Sequence, residues 1–421
     1  MAGDVLGSFE NKEKGASSGF TPYQKFVIAV LAFLQFTIVL DFMVLSPVGA
    51  ILMPALHITP AQFGLVVSAY AFSAGISGLL AAGFADRFDR KKLLLFFYTG
   101  FILGTLFCGL SPNYHFLLLA RMVTGLFGGV IGSIVLAIAA DLFPLGMRGR
   151  VMGIIQTAFS VTQVLGIPIA LYFSNIWGWH APFIMIVVIS SAVGILIMGY
   201  LKPIRGHLGV KAEHSVLTHF SETLTNKRYI QAFATTALLT TGGYMMMPFT
   251  SAYNVHNLGV PIEKLPMIYM ITGLCTMMIG PMMGKLSDTI GKFKVFCMGA
   301  ILTVIMVTIY ANLPPSSLTV VILVTVIMFI GISARIISSS ALTSAVPNAT
   351  HRGAFMAISA SIQQFSGGVA SALSGLIVTE SATGTLEHFD VVGYIIVGTT
   401  VFTVVMMYFI DQYVHNRSKS A

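Results

Sequence analysis

This chain has little charge: Asp, Glu, Lys and Arg make up only 9% of its 421 residues, against a hydrophobic share of 56%. With a mean hydropathy of +0.87, that excludes a water-soluble domain of ordinary composition and puts the chain in lipid. Cysteine is scarce too. Cys108, Cys275 and Cys297 all lie inside apolar segments, where the residue serves as a small hydrophobe, so neither a disulfide framework nor redox chemistry is expected. No Gly-x-x-x-x-Gly-Lys-Ser/Thr loop occurs, which argues against ATP-driven pumping. His, Cys and acidic residues nowhere cluster at metal-ligand spacing, and His207, His214 and His219 fall in polar sequence, so no metal and no cofactor is expected.

What the chain has in abundance is long apolar runs. A spanning helix needs about 20 such residues to cross ~30 Å of hydrocarbon. Twelve runs qualify, at 26–47, 61–84, 93–110, 116–142, 151–174, 181–201, 229–252, 266–287, 294–313, 318–343, 353–379 and 390–410. The first is too long for a signal-peptide core, so no cleaved leader is expected. The polar segment from Lys202 to Arg228 separates six runs from six. With the N-terminus in the cytosol, every Lys and Arg except Arg121, Lys264 and Arg335 falls on the cytosolic side, whereas the reverse orientation satisfies almost none. The net charge of +8 therefore records topology, and its dispersal over separate loops argues against a nucleic-acid partner. The expected division is a tail at 1–22, a bundle at 23–201, a linker at 202–228, a second bundle at 229–412 and a tail at 413–421, both tails cytoplasmic.

The two halves repeat one another. Asp86-Arg87-Phe88-Asp89-Arg90-Lys91-Lys92 follows Ala82-Gly83 at the end of span two, and Asp288-Thr289-Ile290-Gly291-Lys292-Phe293-Lys294 follows Gly284 at the end of span eight. Pro144, Arg148-Gly149 and Met152 likewise correspond to Pro347, Arg352-Gly353 and Met356. An even number of spans per half brings both copies in from the same side, so the pseudo-twofold axis runs along the membrane normal.

Only one acidic residue lies deep in a span. Asp41 falls roughly 22 Å from the end at which span one starts, and Arg121 of span four reaches a similar depth. A carboxylate in hydrocarbon is expensive and faces a cavity, a partner or a proton path. Desolvation favours the neutral acid and a nearby guanidinium favours the anion, so motion that alters their separation would load and release a proton. The competing reading is a permanent ion pair that locks the two helices. Gln156 and Gln163 share a face of span five at a spacing of seven, and Gln363 and Gln364 lie in span eleven. With Asp41, Tyr244 and Arg335 they are the candidate lining of a substrate cavity, interhelical hydrogen bonding being the other use of such amides. Arg335 is close enough to the cytosolic end for its side chain to snorkel there, the reading preferred to anion binding. Gly166 and Pro168 weaken span five locally and mark a hinge. Gly128 with Gly132, Gly280 with Gly284, and Gly367, Ser371 and Gly375 are spaced for close helix approach. Met245 to Met247 and Met277, Met278, Met282 and Met283 make spans seven and eight adaptable to varied apolar solutes.

The lettering after span two resembles the signature of the major facilitator superfamily, Gly-x-Leu-Ala-Asp-Arg-x-Gly-Arg-Lys, and the copy from Gly284 to Lys294 fits it better. In the first copy Ala82 replaces the leading Gly and Asp89 the second, which is expected to weaken the turn there. Arg121-x-x-x-Gly125 is similar to the second superfamily motif. The Asp41 segment, Gly166-Ile167-Pro168 and Gly178-Trp179-His180-Ala181-Pro182-Phe183 most resemble twelve-span drug:proton antiporters and arabinose-efflux-type permeases. The resemblance implies an all-α membrane protein of twelve transmembrane helices in two pseudo-twofold six-helix bundles, in the inner membrane of a bacterium. It implies a secondary transporter, not an enzyme, whose partners are a small-molecule substrate, protons and the bilayer, acting as a monomer. Asp41 and Arg121 would couple protons. Asp86, Arg90 and Asp141, with Asp288 and Lys292 as counterparts, would form a gate between spans two, four and eleven, enforcement of topology being the competing role of the basic residues. Proton-coupled uptake or facilitated diffusion stays open beside efflux, and a receptor or enzyme on this scaffold more remotely.

Overall fold

The computed structural model describes residues 20–205, 208, 222–348 and 351–420. Most of the expected N-terminal tail and linker lies outside them, and the side chains of Asp86 and Arg352 are likewise outside the description. The first half comprises α1 (Pro22–Leu56), α2 (Pro60–Phe84), α3 (Arg90–Gly109), α4 (Tyr114–Leu142), α5 (Leu145–Val161), α6 (Ile167–Trp177) and α7 (Ala181–Tyr200). The second comprises α8 (Lys227–Met246), α9 (Thr250–His256), α10 (Leu265–Ile290), α11 (Lys292–Ala311), α12 (Leu318–Thr343), α13 (Arg352–Ile377) and α14 (Phe389–Ser420). Spans five and seven are each made of two helices. A π turn at Thr162–Gly166 joins α5 to α6, and a 3-10 turn at Met247–Phe249 joins α8 to α9.

Local sequence sets the helix starts. Thr21-Pro22 and Thr59-Pro60 open α1 and α2 with the same capping box, in which the Thr hydroxyl accepts from the Gln backbone N–H three residues on and the Gln side chain accepts from the Thr N–H. Proline costs nothing at that position because its missing donor has no helical partner there. Pro168 sits in the first turn of α6 for the same reason, and the π turn before it absorbs the break in the hydrogen-bond ladder. The composition also explains which spans look least like membrane helices. Among the described residues, ten helical stretches are long and apolar enough to cross a bilayer; α8 and α13, interrupted by Thr, Gly, Ser and Gln, fall outside that set. Both line the space between the halves, where polar side chains are tolerated.

Both described ends, the Asp89 turn and the start of the linker lie on one face, here called the terminal face. At the opposite, far face the halves are pressed together. The Ser46 hydroxyl donates to the Met247 carbonyl, Ser251 Oγ donates to Ser46 O at 2.8 Å, and Phe63 meets Phe249 edge-on with centroids 6.0 Å apart. Helices α2 and α13 approach backbone to backbone: a Cβ added at Gly64 would lie 2.7 Å from the Ser371 carbonyl oxygen, and Ser68 Oγ donates to Gly368 O at 2.7 Å. Span five meets α10 where Gly273 has no side chain, a Cβ there falling 2.9 Å from the Gln163 carbonyl carbon. One apolar core runs through the first half and across this junction, while a separate cluster around Tyr229, Phe233, Phe296 and Phe355 fills the terminal-face end of the second half. The outer surface is apolar, with Ile195, Met278 and Leu376 about 70% exposed, as expected of helices that face acyl chains.

Beyond the helices, Thr379–Glu380 and Leu386–Glu387 pair as a short hairpin before α14, which the spacing of apolar runs does not foretell. Asn257 clamps it, donating to Leu386 O at 2.8 Å and accepting from Leu386 N at 2.9 Å.

Candidate functional site

A cavity of about 420 Å³ lies between the halves. Its first wall is small: Met43, Ser46 and Pro47 of α1, and Gln163 and Ile167 of span five. The rest comes from the second half, chiefly α8, α10, α12 and α13 with smaller shares from α9, α11 and α14, and extends to Thr343, Met356 and Ser359, beside the terminal face. Contact between the halves, at Ser46 with Met247 and Ser251 and at Phe63 with Phe249, lies at the other end. Most of its surface is apolar, supplied in part by Met246, Met247, Met328 and Phe329. No Asp or Glu is among the lining residues, and Arg335 is the single formal charge there.

Of the candidates for this wall, Gln163, Tyr244, Gln363 and Arg335 are on it, and Asp41, Gln156 and Gln364 are not. Gln156 lies on the regular part of α5 and is exposed, whereas Gln163 falls inside the π turn, where the helical register changes. Arg335 corrects the snorkelling reading. It is 5% exposed on α12, where Ser338 and Ser339 are buried too, and its Nε has no hydrogen-bond partner among the described residues. The methionine reading divides as well: Met246 and Met247 face the cavity, whereas Met278 and Met282 are over 60% exposed on the outer surface. Gly280 and Gly284 have nothing within 4 Å of an added Cβ, so that pair marks no helix contact, while Gly367 accommodates the Tyr244 ring and Gly375 the Pro60 carbonyl.

Asp41 corrects the largest expectation. It is completely buried within the first half, at 0% exposure, rather than on the cavity wall. Its Oδ2 accepts from Arg121 Nη1 at 2.9 Å, its Oδ1 accepts from Thr105 Oγ1 at 3.1 Å, and its backbone carbonyl lies 3.4 Å from the same guanidinium nitrogen. The Arg121 guanidinium also lies 4.5 Å from the centroid of the Tyr70 ring. Four helices, α1 to α4, thus each contribute one group. Phe42 connects this pair to the cavity, its ring centroid 5.4 Å from Tyr70 and 5.8 Å from Tyr244 of the other half. Thr105, Tyr70 and Phe42 escape a reading of the sequence because Thr and aromatics are ordinary in a span; only their convergence on one acid distinguishes them.

At the terminal face Arg90 Nε lies 3.2 Å from Asp141 Oδ2, and its Nη1 donates to Ala85 O at 3.2 Å, tying the start of α3 to the end of α4. Asp288 and Lys292 stand 3.7 Å apart and are 75% and 40% exposed, a geometry that contributes little. Asp89 corrects the turn expectation. With φ −56° it needs no glycine-like backbone and instead caps α3, accepting from Lys91 N at 2.9 Å. It also receives Ile204 N at 3.2 Å and pairs with Arg205 at 2.8 Å, which fastens the start of the linker to the first half. Partial burial pushes its carboxyl up, but the Arg205 and backbone hydrogen bonds outweigh this and hold it below the ordinary carboxylate value. Its counterpart, Gly291, does occupy the left-handed region at φ 106°.

The family model for the Major Facilitator Superfamily matches residues 31–332 and 232–421. The chain is 24% identical over 281 residues to the uncharacterized MFS-type transporter YceJ of Bacillus subtilis (strain 168), 66% of this chain and 70% of that one. It is 25% identical over 320 residues to Multidrug resistance protein 2 of the same organism, 73% of this chain and 78% of that one. Some matches are shorter, that to YtbD of the same organism spanning 56% of the relative. Among solved structures, an inward-facing, unoccupied bacterial homologue of the human lysosomal transporter Spinster superposes with a TM-score of 0.67 at 18% identity, covering 95% of this chain and 98% of that one. The nucleoside transporter NupG gives 0.69 at 13% identity, over 92% and 99%.

Proposed function

The chain belongs to the major facilitator superfamily and is a multi-pass membrane transporter, and from that premise we propose that it expels a small organic solute in exchange for protons by alternating access. In this reading the terminal face is cytoplasmic, the membrane is a bacterial inner membrane, and the bundles at 23–201 and 229–412 rock about the solute as a monomer. The observation that carries the proposal is the juxtaposition of a largely apolar cavity between the halves with a sealed carboxylate one aromatic layer away. The cavity takes cargo from the terminal face, and Asp41 takes the proton.

Coupling follows from what the ion pair will not tolerate. Protonating Asp41 in place leaves the Arg121 guanidinium without its charge partner in a site that water does not reach, and an uncompensated buried charge costs about 3–5 kcal/mol. The proton is therefore accepted only with a rearrangement that gives Arg121 another acceptor or water. Phe42 touches both Tyr70, which covers Arg121, and Tyr244 on the cavity wall. A solute that displaces Tyr244 changes the packing on Arg121, and a change at Arg121 moves Tyr244; the two sites bias one element. Similarity to Multidrug resistance protein 2 supports the outward direction.

The test is solute-dependent proton flux into proteoliposomes carrying a pH gradient, with Asp41→Asn as the comparison. Loss of gradient-driven transport with equilibrium exchange retained supports the reading. Undiminished gradient-driven transport by Asp41→Asn removes that carboxyl from the mechanism, and counterflow indifferent to pH in the wild type replaces antiport by facilitated diffusion.

A further inference from the structure

Resting on the transport reading, we propose that the cargo is an amphipathic organic acid, held as its monoanion by Arg335. Three of the residues that line the cavity each carry a buried polar atom with no hydrogen-bond partner among the described residues: Arg335 Nε, Asn254 Nδ2 and Thr272 Oγ1. They belong to residues 5%, 1% and 5% exposed, on α12, α9 and α10. All three can donate. The Asn254 amide is oriented by the Tyr310 hydroxyl, which donates to its Oδ1 at 2.8 Å and leaves Nδ2 without an acceptor among the described residues. A wall whose unmet polar groups can all donate, and two of which, Arg335 Nε and Asn254 Nδ2, cannot accept, favours a cargo rich in acceptors.

Charge narrows the class further. Burial penalises a lone guanidinium unless an anion pairs with it, and none of the lining residues is acidic. A cationic cargo would meet Arg335 as a like charge, and a neutral one would leave it unpaired. A phosphate dianion would bring two negative charges to one guanidinium and leave one uncompensated in a poorly solvated site. A carboxylate brings one, and its two oxygens match the guanidinium fork. The rest of the cargo is apolar, because Met246, Met328, Phe329 and Ile332 supply much of the remaining wall, and about 420 Å³ holds one molecule of drug or short acyl-chain size.

The experiment uses the full chain in nanodiscs at neutral pH, with matched triads of acid, amide and amine: decanoate, decanamide and decylammonium, and naphthoate, naphthamide and naphthylmethylammonium. Thermal stabilisation and equilibrium binding are measured for each. In at least one triad the acid binds at least about tenfold more tightly than its amide, the difference made by a charge-assisted pair, and the amine binds worst. Arg335→Gln brings acid and amide level, and Arg335→Lys restores part of the preference. An acid that nowhere outbinds its amide, a preference for amine, or an acid preference untouched in Arg335→Gln overturns the proposal; should the variant fail to fold, the wild-type triads decide alone. Exchange of the same probes across proteoliposomes separates this from the transport reading. Exchange of amine but not acid overturns the anion class and leaves transport standing, whereas tight acid binding with no exchange of any probe supports the Arg335 site and removes the transport reading.

Discussion

Replacing Asp41 and Arg121 singly and together distinguishes a locked pair from independent polar residues. The two are 0% and 1% exposed with 2.9 Å between charged atoms, so either Asp41→Asn or Arg121→Gln strands a buried charge, at a cost of about 3–5 kcal/mol. An unfolding entropy of about 2.1 cal/mol/K per residue, applied to a chain of 421 residues, converts that to a fall in Tm of roughly 3–6 °C for each single variant. Asp41→Asn keeps a group that can accept from Thr105, so the loss reports charge rather than shape. In the double variant neither charge is left, and the amides of Asn and Gln remain within reach of each other. Its Tm should therefore lie above the sum of the two single losses by at least about 2 °C, the signature of direct coupling in a double-mutant cycle. Thermal unfolding in one detergent, followed by intrinsic fluorescence and by loss of monodispersity, measures all four proteins. Additive losses, or single variants within 1 °C of the wild type, would show that this contact holds little and that Arg121 finds other compensation.

Other consequences follow from contacts at the two faces. Gly64→Val places branched carbon against the Ser371 carbonyl, where even a Cβ would stand 2.7 Å away; it should part α2 from α13 and raise the thiol labelling of a cysteine introduced at Ser68. Unchanged labelling contradicts close packing there. Asn257→Ala removes both hydrogen bonds to Leu386, a loss of about 1–3 kcal/mol. Proteolysis of the loop at 379–387 should quicken while the cavity's ligand binding is retained. Asp89→Asn keeps a capping group but loses the charge that Arg205 neutralises. Because Asp89 is held below the ordinary carboxylate value of 3.8, its contribution is complete above that pH and lost as pH falls through the lower, folded-state value. The stability advantage of the wild type over Asp89→Asn should be present at pH 6 and shrink below pH 4, and an advantage that grows on acidification contradicts the assignment.

Much of the architecture is legible in composition. Twelve apolar runs and a duplicated acid-and-basic turn suffice because lipid permits few backbone solutions and a helix of given length must cross. Span seven and span eleven show where that logic weakens: α8 and α13 are the least apolar spans for a reason that concerns their neighbours, since they face the cavity. Gln156 and Gln163 show a second weakness. Their spacing puts them on one face only if the helix stays regular, and Gln163 falls inside the π turn that precedes Pro168. Asp89 reads as a defective glycine within its motif and proves to be a helix cap and the anchor of the linker, because its partners Ile204 and Arg205 lie more than a hundred residues further along.

Sequence alone determined that this chain lives in the bilayer, that it is built from two related six-span halves, and that Asp41 and Arg121 are the charges that need an explanation. Those facts are fixed by transfer energies and periodicities, which each segment carries with it. Tertiary structure decided which polar groups line the cavity and which face each other: Asp41 is sealed beside Arg121, while Arg335, among the described residues, stands unpaired on a wall with no acid. No segment encodes that division, because the energy of a buried charge depends on what the rest of the fold brings within a few ångströms of it.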